Sequence, residues 1–165
     1  MLVESSNDAA FALGETFEQI TGTPLLAAMN ERARELGLET LHFNSVSGLD
    51  KDGVPGGVGS ARDIAEILEY AFEAYGHLFA STTQKDVAYT AIGEDPLLAE
   101  NSNKAILAIP GRVLSKTGMT DLAGGNLGMI VEKGPLHPIV VVVLGSTEDG
   151  RFSDVETIVE KIFEI

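Results

Sequence analysis

Two short polar motifs carry the side chains of this sequence that are best suited to chemistry. The first is Ser-Ser-Asn at residues 5–7, and the second is Lys-Thr-Gly at residues 116–118. In the second motif a cation stands next to a hydroxyl and a residue without Cβ, so a ligand carboxylate can meet Lys116 and Thr117 while the ligand backbone lies against Gly118. Each motif also has a structural alternative, since the first can cap a helix and the second can be an exposed lysine beside a turn.

The second motif lies in a segment with the pattern of an antiparallel sheet. The runs RVLSKTGMT, NLGMIVEK and PIVVVVLGS predict three strands, joined by the short glycine-bearing turns DLAGG and GPLH. The stretch Ile139–Leu144 is continuously apolar, so we expect both faces of the third strand to be covered. A closing helix follows, with Ser153 and Glu156 as its predicted cap and an apolar stripe that can lie against the sheet.

The first motif stands at the start of a region whose patterns are mainly helical. Asn7 or Asp8 can cap a first helix, and Ser60 with Asp63 can cap a later one, where Asp63 also acts as a helix-start charge. Between these helices the glycine-rich segment FNSVSGLDKDGVPGGVGS is predicted to be a loop. The Ser-Ser-Asn motif is therefore expected at a helix start.

The length and charge of the chain limit the kinds of function that can be expected of it. Its 165 residues suit one domain, with a mostly helical part at 1–110 and three strands and a terminal helix at 111–165. With 25 acidic against 11 basic residues the net charge is −14, which repels a phosphate backbone and excludes nucleic acid as an expected partner. The chain has no cysteine and therefore no thiol chemistry.

The order of the two motifs along the chain is typical of one enzyme class. An S-x-N element followed by KTG occurs in penicillin-binding proteins and class A β-lactamases, together with an S-x-x-K element. Further segments extend the likeness nearly end to end, namely MLVESSNDAAFALGE, MNERARELGLETLHF, SGLD, GSARDIAEIL, NSNKAIL and VVVVLGSTEDGRFSDVETIV. The chain resembles the low-molecular-weight D-alanyl-D-alanine carboxypeptidases, which are penicillin-binding serine peptidases.

The resemblance implies an α+β fold of the penicillin-binding/β-lactamase-like type, in which a helical region accompanies an antiparallel sheet and the KTG motif lies on an edge strand. It implies a serine-type D-Ala-D-Ala carboxypeptidase that cleaves peptidoglycan stem peptides through an acyl-enzyme. The implied ligands are stem peptides ending in D-Ala-D-Ala and β-lactams. The implied location is extracytoplasmic, in the periplasm or at the cell surface, and no cofactor or metal is expected.

The resemblance also assigns roles to the residues of both motifs. Ser5 would relay a proton to the leaving amine, Asn7 would hydrogen-bond the substrate amide, and Lys116 would supply positive potential. Thr117 would hold the terminal carboxylate, and the backbone N–H of Met119 would be one of two oxyanion donors. The implied substrate-binding residues are Thr117, Gly118, Met119 and Thr120.

One element of the family pattern is absent from the sequence. No serine has a lysine three residues later, and the pair Thr82 and Lys85 has that spacing with a threonine and in the wrong order relative to S-x-N. We therefore expect residues 1–165 to be the C-terminal part of the catalytic domain, without the N-terminal helix and strands, and inactive alone. The expected partner is the N-terminal part that carries S-x-x-K, and self-association through the exposed edge of the strand with Ile139–Leu144 is also expected.

Other functions are compatible with the same motifs. A pseudo-enzyme that binds peptidoglycan or a partner without turnover would share them, as would a β-lactam-binding homologue with little peptidase activity. Glu94 begins the segment EDPLL, which is similar to the E-x-x-L-N loop of β-lactamases but lacks the asparagine, so a deacylating glutamate is not supported. Labelling by penicillin, measured together with D-alanine release, distinguishes these functions.

Overall fold

The computed structural model describes residues 1–90 and 95–165. In those ranges the helices are α1 (Asn7–Thr21), α2 (Leu25–Glu35), α3 (Ala61–Phe79) and α4 (Gly150–Glu164). The strands are β1 (His42–Phe43), β2 (Gly57–Val58), β3 (Asp86–Tyr89), β4 (Leu97–Glu100), β5 (Arg112–Thr120), β6 (Gly124–Glu132) and β7 (Pro138–Ser146). A 3-10 turn at Ala80–Thr83 connects α3 to β3. Glu94, which was compared above with a β-lactamase glutamate, lies outside the described residues.

The principal sheet is antiparallel and has the strand order β5-β6-β7. Strands β5 and β7 have the bounds predicted from the runs RVLSKTGMT and PIVVVVLGS, 112–120 and 138–146. Strand β6 begins at Gly124, two residues earlier than predicted, because the glycine pair there continues the ladder opposite Thr120. Strand β5 lies at the edge of this sheet, so the prediction that the KTG motif occupies an edge strand is confirmed.

Helices cover both faces of the sheet. On one face Val155 and Val159 of α4 pack against Met129 of β6 in a fully buried cluster. On the other face α3 lies so close to β6 that a Cβ on Gly128 would come within 2.6 Å of the Leu68 side chain. Both helices also contact β7, but the predicted covering of both faces of this strand is only partial, since Val141 is buried while Leu144 is exposed. Among the described strands none pairs with the outer side of β5, where the Ala80–Thr83 turn contacts the first half of the strand.

The start of α1 differs from the prediction. Its cap is Ser6, whose Oγ accepts a hydrogen bond from the Ala9 N–H at 3.2 Å. Asn7 and Asp8 are not the cap, because both already lie in the first helical turn. Ser5 stands just before the cap with φ 58°, in the left-handed region. The cap is therefore one residue earlier than predicted and directly follows Ser5.

The start of α4 also differs from the prediction, which placed the cap at Ser153 and Glu156. The helix begins at Gly150, because the Thr147 hydroxyl accepts a hydrogen bond from the Gly150 N–H at 2.9 Å. Ser153 instead lies inside the helix and donates to the Gly150 carbonyl at 3.0 Å. The earlier start places Arg151 in the first turn of α4.

The predicted cap of α3 at Ser60 is confirmed, since its Oγ accepts from the Asp63 N–H at 3.1 Å. Asp63 does more than provide a helix-start charge. Its carboxylate is buried and accepts from the N–H and the hydroxyl of Thr40 at 2.7 and 2.8 Å. These hydrogen bonds hold the pKa of Asp63 below its ordinary value, although burial opposes them. The contact anchors one end of the glycine-rich loop.

Candidate active site

An open cavity of about 510 Å³ lies between the turn before α1, the glycine-rich loop and the edge strand β5. It is lined by all the residues to which a role was assigned above: Ser5, Asn7, Lys116, Thr117, Gly118, Met119 and Thr120. Polar residues that the sequence reasoning did not single out also line it, among them Ser102, Asn126 and Arg151. The fold thus brings the two motifs to one place.

Lys116 and Ser5 are in direct contact in this cavity. The Lys116 Nζ donates to the Ser5 Oγ at 2.5 Å and to the Thr117 carbonyl at 2.6 Å. The left-handed conformation of Ser5 costs a residue with a Cβ roughly 1–2 kcal/mol. Backbone strain of this kind persists where the surrounding structure holds it, and it is common at functional sites.

The environment of Lys116 disfavours its positive charge. Burial and the nearby positive charge of Arg151 lower the pKa of Lys116 from 10.5 to about 8. The side chain is therefore mostly protonated at pH 7, but it loses its proton at a much lower pH than an exposed lysine does. Such a group can serve as a cation for an anionic ligand and can take part in proton transfer.

Ser102 connects the two motifs. Its Oγ lies 2.6 Å from the Oγ1 of Thr117, which is 8% exposed. Its N–H and its hydroxyl both donate to the Val3 carbonyl at 3.1 Å, two residues before Ser5. Ser102 belongs to the segment NSNKAIL, which was recognised above only as part of the family resemblance. Its residue type alone gives no sign of these contacts.

Arg151 reaches the KTG motif from α4. Its Nη1 donates to the Gly118 carbonyl at 2.6 Å, and the residue is only 7% exposed. Its Nε has no hydrogen-bond partner among the described residues. A buried N–H of a cation is costly without a partner. Arg151 therefore adds a second cation to the residues that line the cavity. In the sequence it is a single arginine in the acidic stretch EDGRFSD, with no motif around it.

The opposite wall is formed by residues 46–49, which Asp50 holds in place. One carboxylate oxygen of Asp50 accepts from the Gly56 N–H at 3.1 Å, and the other accepts from the Leu122 N–H at 3.0 Å, just beyond β5. Burial raises the pKa of Asp50, but its hydrogen bonds outweigh that effect and hold the pKa below its ordinary value. Position 56 must be glycine, since a Cβ there would lie 2.0 Å from the Gly48 carbonyl oxygen.

Thr82, which has the S-x-x-K spacing with Lys85, is not among the residues that line the cavity. It is 1% exposed, and its hydroxyl accepts from the Ser115 N–H at 3.1 Å. The Ser115 hydroxyl in turn donates to the Thr82 carbonyl at 3.3 Å. Thr82 therefore anchors β5 beside the KTG motif. Within residues 1–90 and 95–165, no group of three or more His, Asp or Glu side chains is placed to hold a metal ion.

The cavity combines anion-binding and proton-transfer groups. Lys116 and Arg151 concentrate positive charge in a chain whose net charge is −14. The hydroxyl of Ser5 is in contact with Lys116, and Thr117 lines the same cavity. A ligand carboxylate can be bound by such donors, and a hydroxyl held by an ammonium can pass a proton to a neighbouring group.

Comparisons with known proteins relate this chain to one family. The D-alanyl-D-alanine carboxypeptidase family matches residues 1–148. The D-alanyl-D-alanine carboxypeptidase DacA of Escherichia coli is 32% identical over 152 residues, which are 90% of this chain and 35% of that protein. DacF of Bacillus subtilis is 29% identical over 173 aligned residues, which are 98% of this chain and 40% of that protein. The chain therefore spans about a third of the E. coli protein.

A solved structure shows the same fold. Penicillin-Binding Protein D2 of Listeria monocytogenes, in its cefotaxime-bound form, matches with a TM-score of 0.82 and 30% identity over 97% of this chain and 62% of that chain. The predicted α+β penicillin-binding fold class is thereby confirmed. In the described ranges, no helix is both long and apolar enough to cross a membrane. The shared cavity of the two motifs and the match over residues 1–148 lead to one conclusion: this chain belongs to the D-alanyl-D-alanine carboxypeptidase family.

Proposed function

We propose that this chain provides the S-x-N and KTG part of the active site of a serine-type D-Ala-D-Ala carboxypeptidase, which acts on peptidoglycan stem peptides through an acyl-enzyme. The observation that carries the proposal is the 2.5 Å contact between Lys116 and Ser5 in a cavity that Thr117 and Arg151 also line. Family membership supports the reaction class. The proposed location is extracytoplasmic, as befits an enzyme whose substrate is peptidoglycan.

The cavity offers donors that suit the terminal carboxylate of the peptide. Thr117, Arg151 and Lys116, which carry a hydroxyl, a guanidinium and an ammonium, all line the cavity. Hydrogen bonds between charged groups are the stronger class, with net values of about 1.5–3 kcal/mol. The edge of β5 from Thr117 to Thr120, beyond the contact of Ser115 with Thr82, can also accept an extended peptide as an additional strand. These features favour a peptide with a free C-terminus.

In the proposed reaction Ser5 delivers a proton to the leaving amine. Because the Lys116 ammonium donates to the Ser5 Oγ, the Ser5 hydroxyl hydrogen stays free to donate elsewhere. When the peptide C–N bond breaks, this hydrogen passes to the amine nitrogen of D-alanine. The proton that the attacking serine gives up to the lysine of S-x-x-K during its attack then replaces it on Ser5, so the site is unchanged after acylation.

The remaining motif residues complete the proposed site. Asn7 lies in the first turn of α1 and hydrogen-bonds the substrate amide. The N–H of Met119 is one of the two oxyanion donors, and loss of one such donor typically lowers the rate by about 10²–10³. Gly118 and Thr120 let the peptide backbone approach the strand. β-Lactams are proposed as ligands of the same cavity, since the related Listeria protein is known in a cefotaxime-bound form.

The attacking serine is assigned to an S-x-x-K element outside residues 1–165, because no serine in this sequence has a lysine three residues later. We expect the 165-residue chain alone neither to hydrolyse D-Ala-D-Ala nor to form a penicillin adduct. A segment with S-x-x-K added in trans should restore labelling, on the added serine. A stoichiometric adduct on Ser5 or Ser6 of the chain alone, seen by intact mass, would falsify this assignment.

Ligand binding tests the site without turnover. An N-acyl peptide ending in D-Ala-D-Ala is titrated into the ¹⁵N-labelled chain, with Thr117→Val as the test variant. Thr157→Val, at an exposed position of α4, is the matched control. We expect Thr117→Val to weaken binding and Thr157→Val to leave it unchanged. Absence of binding, or equal binding by both variants, contradicts the proposal. Binding that never leads to D-alanine release, even with the S-x-x-K segment present, identifies the pseudo-enzyme alternative.

A further inference from the structure

We propose that Ser102 is a positioning residue: it sets the orientation of the Thr117 hydroxyl and thereby the preference of the cavity for a ligand carboxylate. The inference rests on the proposed function, in which Thr117 binds the terminal carboxylate. Its basis is the set of hydrogen bonds that Ser102 makes to Thr117 on one side and to Val3 on the other.

Ser102 has a single hydroxyl proton and two neighbours that can take it. Its Oγ lies 3.1 Å from the Val3 carbonyl oxygen and 2.6 Å from the Thr117 Oγ1. A carbonyl oxygen only accepts, so when Ser102 donates to Val3 the shorter bond must be donated by Thr117. In this arrangement the Thr117 proton points to Ser102, and Thr117 has only lone pairs to offer to the cavity.

A carboxylate ligand requires the opposite orientation, because a carboxylate only accepts. For Thr117 to donate to it, Ser102 must turn its own proton from Val3 to Thr117. The Val3 carbonyl keeps a partner after this turn, since the backbone N–H of Ser102 still donates to it at 3.1 Å. The result is a chain of hydrogen bonds from Ser102 through Thr117 to the ligand, in which each bond strengthens the next.

The residues on either side hold Ser102 in place. Asn101 donates through its Nδ2 to the Thr82 carbonyl at 2.8 Å, and its Oδ1 accepts from the Asn103 N–H at 2.9 Å. Asn103 is 1% exposed, and its Oδ1 accepts from the Ala105 N–H at 3.1 Å. With the backbone fixed on both sides, the Ser102 hydroxyl changes partner by rotation and not by displacement.

The test compares two ligands, an N-acyl peptide ending in D-Ala-D-Ala and the same peptide with a C-terminal carboxamide. The carboxamide carries donors of its own, so it does not need the Thr117 proton. We expect Ser102→Ala to lower the affinity for the carboxylate peptide about fivefold to tenfold, the value of one net hydrogen bond, and the affinity for the carboxamide less than about twofold. Isothermal titration measures both, with thermal melts to confirm folding.

Two further substitutions at position 102 make the test independent of any folding defect in Ser102→Ala. Ser102→Thr keeps the hydroxyl and should retain the preference for the carboxylate. Ser102→Cys is nearly isosteric, but a thiol is a weak donor, so this variant should fold like the parent and lose most of the preference. If Ser102→Cys and Ser102→Ala keep the preference, or if they weaken both ligands equally, Ser102 is only structural and the inference is overturned.

Thr117→Val separates the inference from the proposed function. If Thr117→Val leaves the carboxylate preference intact, the proposed role of Thr117 is wrong and the inference fails with it. If Thr117→Val removes the preference while the variants of Ser102 retain it, only the inference fails. In the Thr117→Val background, Ser102→Ala should cause no further change in preference, because Ser102 acts through Thr117.

Discussion

The ammonium of Lys116 donates a 2.5 Å hydrogen bond to the hydroxyl of Ser5, a residue 111 positions away in the sequence. The pair joins the edge strand β5 to the turn that precedes α1. Burial and the charge of Arg151 make this environment unfavourable for the same ammonium. The folded protein therefore contains a positively charged lysine, Lys116, in surroundings that lower its pKa. This has measurable consequences for stability, ligand affinity and titration.

Replacement of Lys116 by methionine should stabilise the protein at neutral pH. The pKa of about 8 in the folded state lies below the ordinary 10.5, so the unfolded state binds the proton more tightly. Below pH 8 both states are protonated and the penalty is complete, at most about 3 kcal/mol. The stabilisation by Lys116→Met should shrink between pH 8 and 10.5, as measured by denaturant unfolding at several pH values.

The matched control for this experiment is Lys161→Met. Lys161 is exposed on α4 and pairs with Glu164, an arrangement whose removal changes stability by less than about 1 kcal/mol. If Lys116→Met destabilises the chain at pH 7, or stabilises it no more than Lys161→Met does, the lowered pKa of Lys116 is not a property of the folded chain.

The affinity for a peptide carboxylate should fall as the pH rises through about 8. Lys116 is a cation below its pKa and neutral above it, so the attraction to an anionic ligand is lost on the alkaline side. The carboxamide form of the same peptide should show little dependence over this range. Calorimetric titrations between pH 6.5 and 9.5 test the prediction. A carboxylate affinity that stays flat across pH 8 contradicts it.

Arg151→Met should raise the pKa of Lys116, because the positive charge of Arg151 is one of the two causes of the lowered value. The same variant should weaken carboxylate binding about tenfold or more, through loss of a charged donor. Arg151→Lys is the matched variant for comparison. It keeps the positive charge but loses the planar guanidinium that donates to the Gly118 carbonyl. NMR titration of the Lys116 side chain measures the first effect. An unchanged Lys116 pKa in Arg151→Met would show that the two cations do not interact.

Ser5→Gly and Ser5→Ala both remove the hydroxyl that contacts Lys116, but they differ in backbone cost. Glycine adopts φ near 58° readily, whereas alanine carries the same steric penalty as serine. We expect Ser5→Gly to be the more stable of the two, by up to about 1 kcal/mol. Ser6→Ala, by contrast, should cost about 1 kcal/mol through loss of the α1 cap. Urea unfolding compares the three variants, and a more stable Ser5→Ala than Ser5→Gly would argue against the left-handed conformation.

Local patterns in the sequence were sufficient for several elements. The β-branched run and flanking glycine turns predicted β7 with the bounds observed, 138–146, and the KTG strand with the bounds 112–120. The Ser60 cap was also predictable. These features depend on interactions between residues close in the chain, so alternation, turn residues and cap residues reveal them. The residue types and order of the two motifs, together with the likeness along the rest of the sequence, indicated the family.

Only the tertiary structure decided which polar groups meet. In the folded chain Lys116 contacts Ser5, Arg151 contacts Gly118, and Ser102 contacts Thr117. The partners in these three pairs are 111, 33 and 15 residues apart in the sequence. Each contact depends on how the helices pack on the sheet, which no local pattern encodes. The lowered pKa of Lys116 has the same origin, because burial and a neighbouring charge exist only in the folded chain.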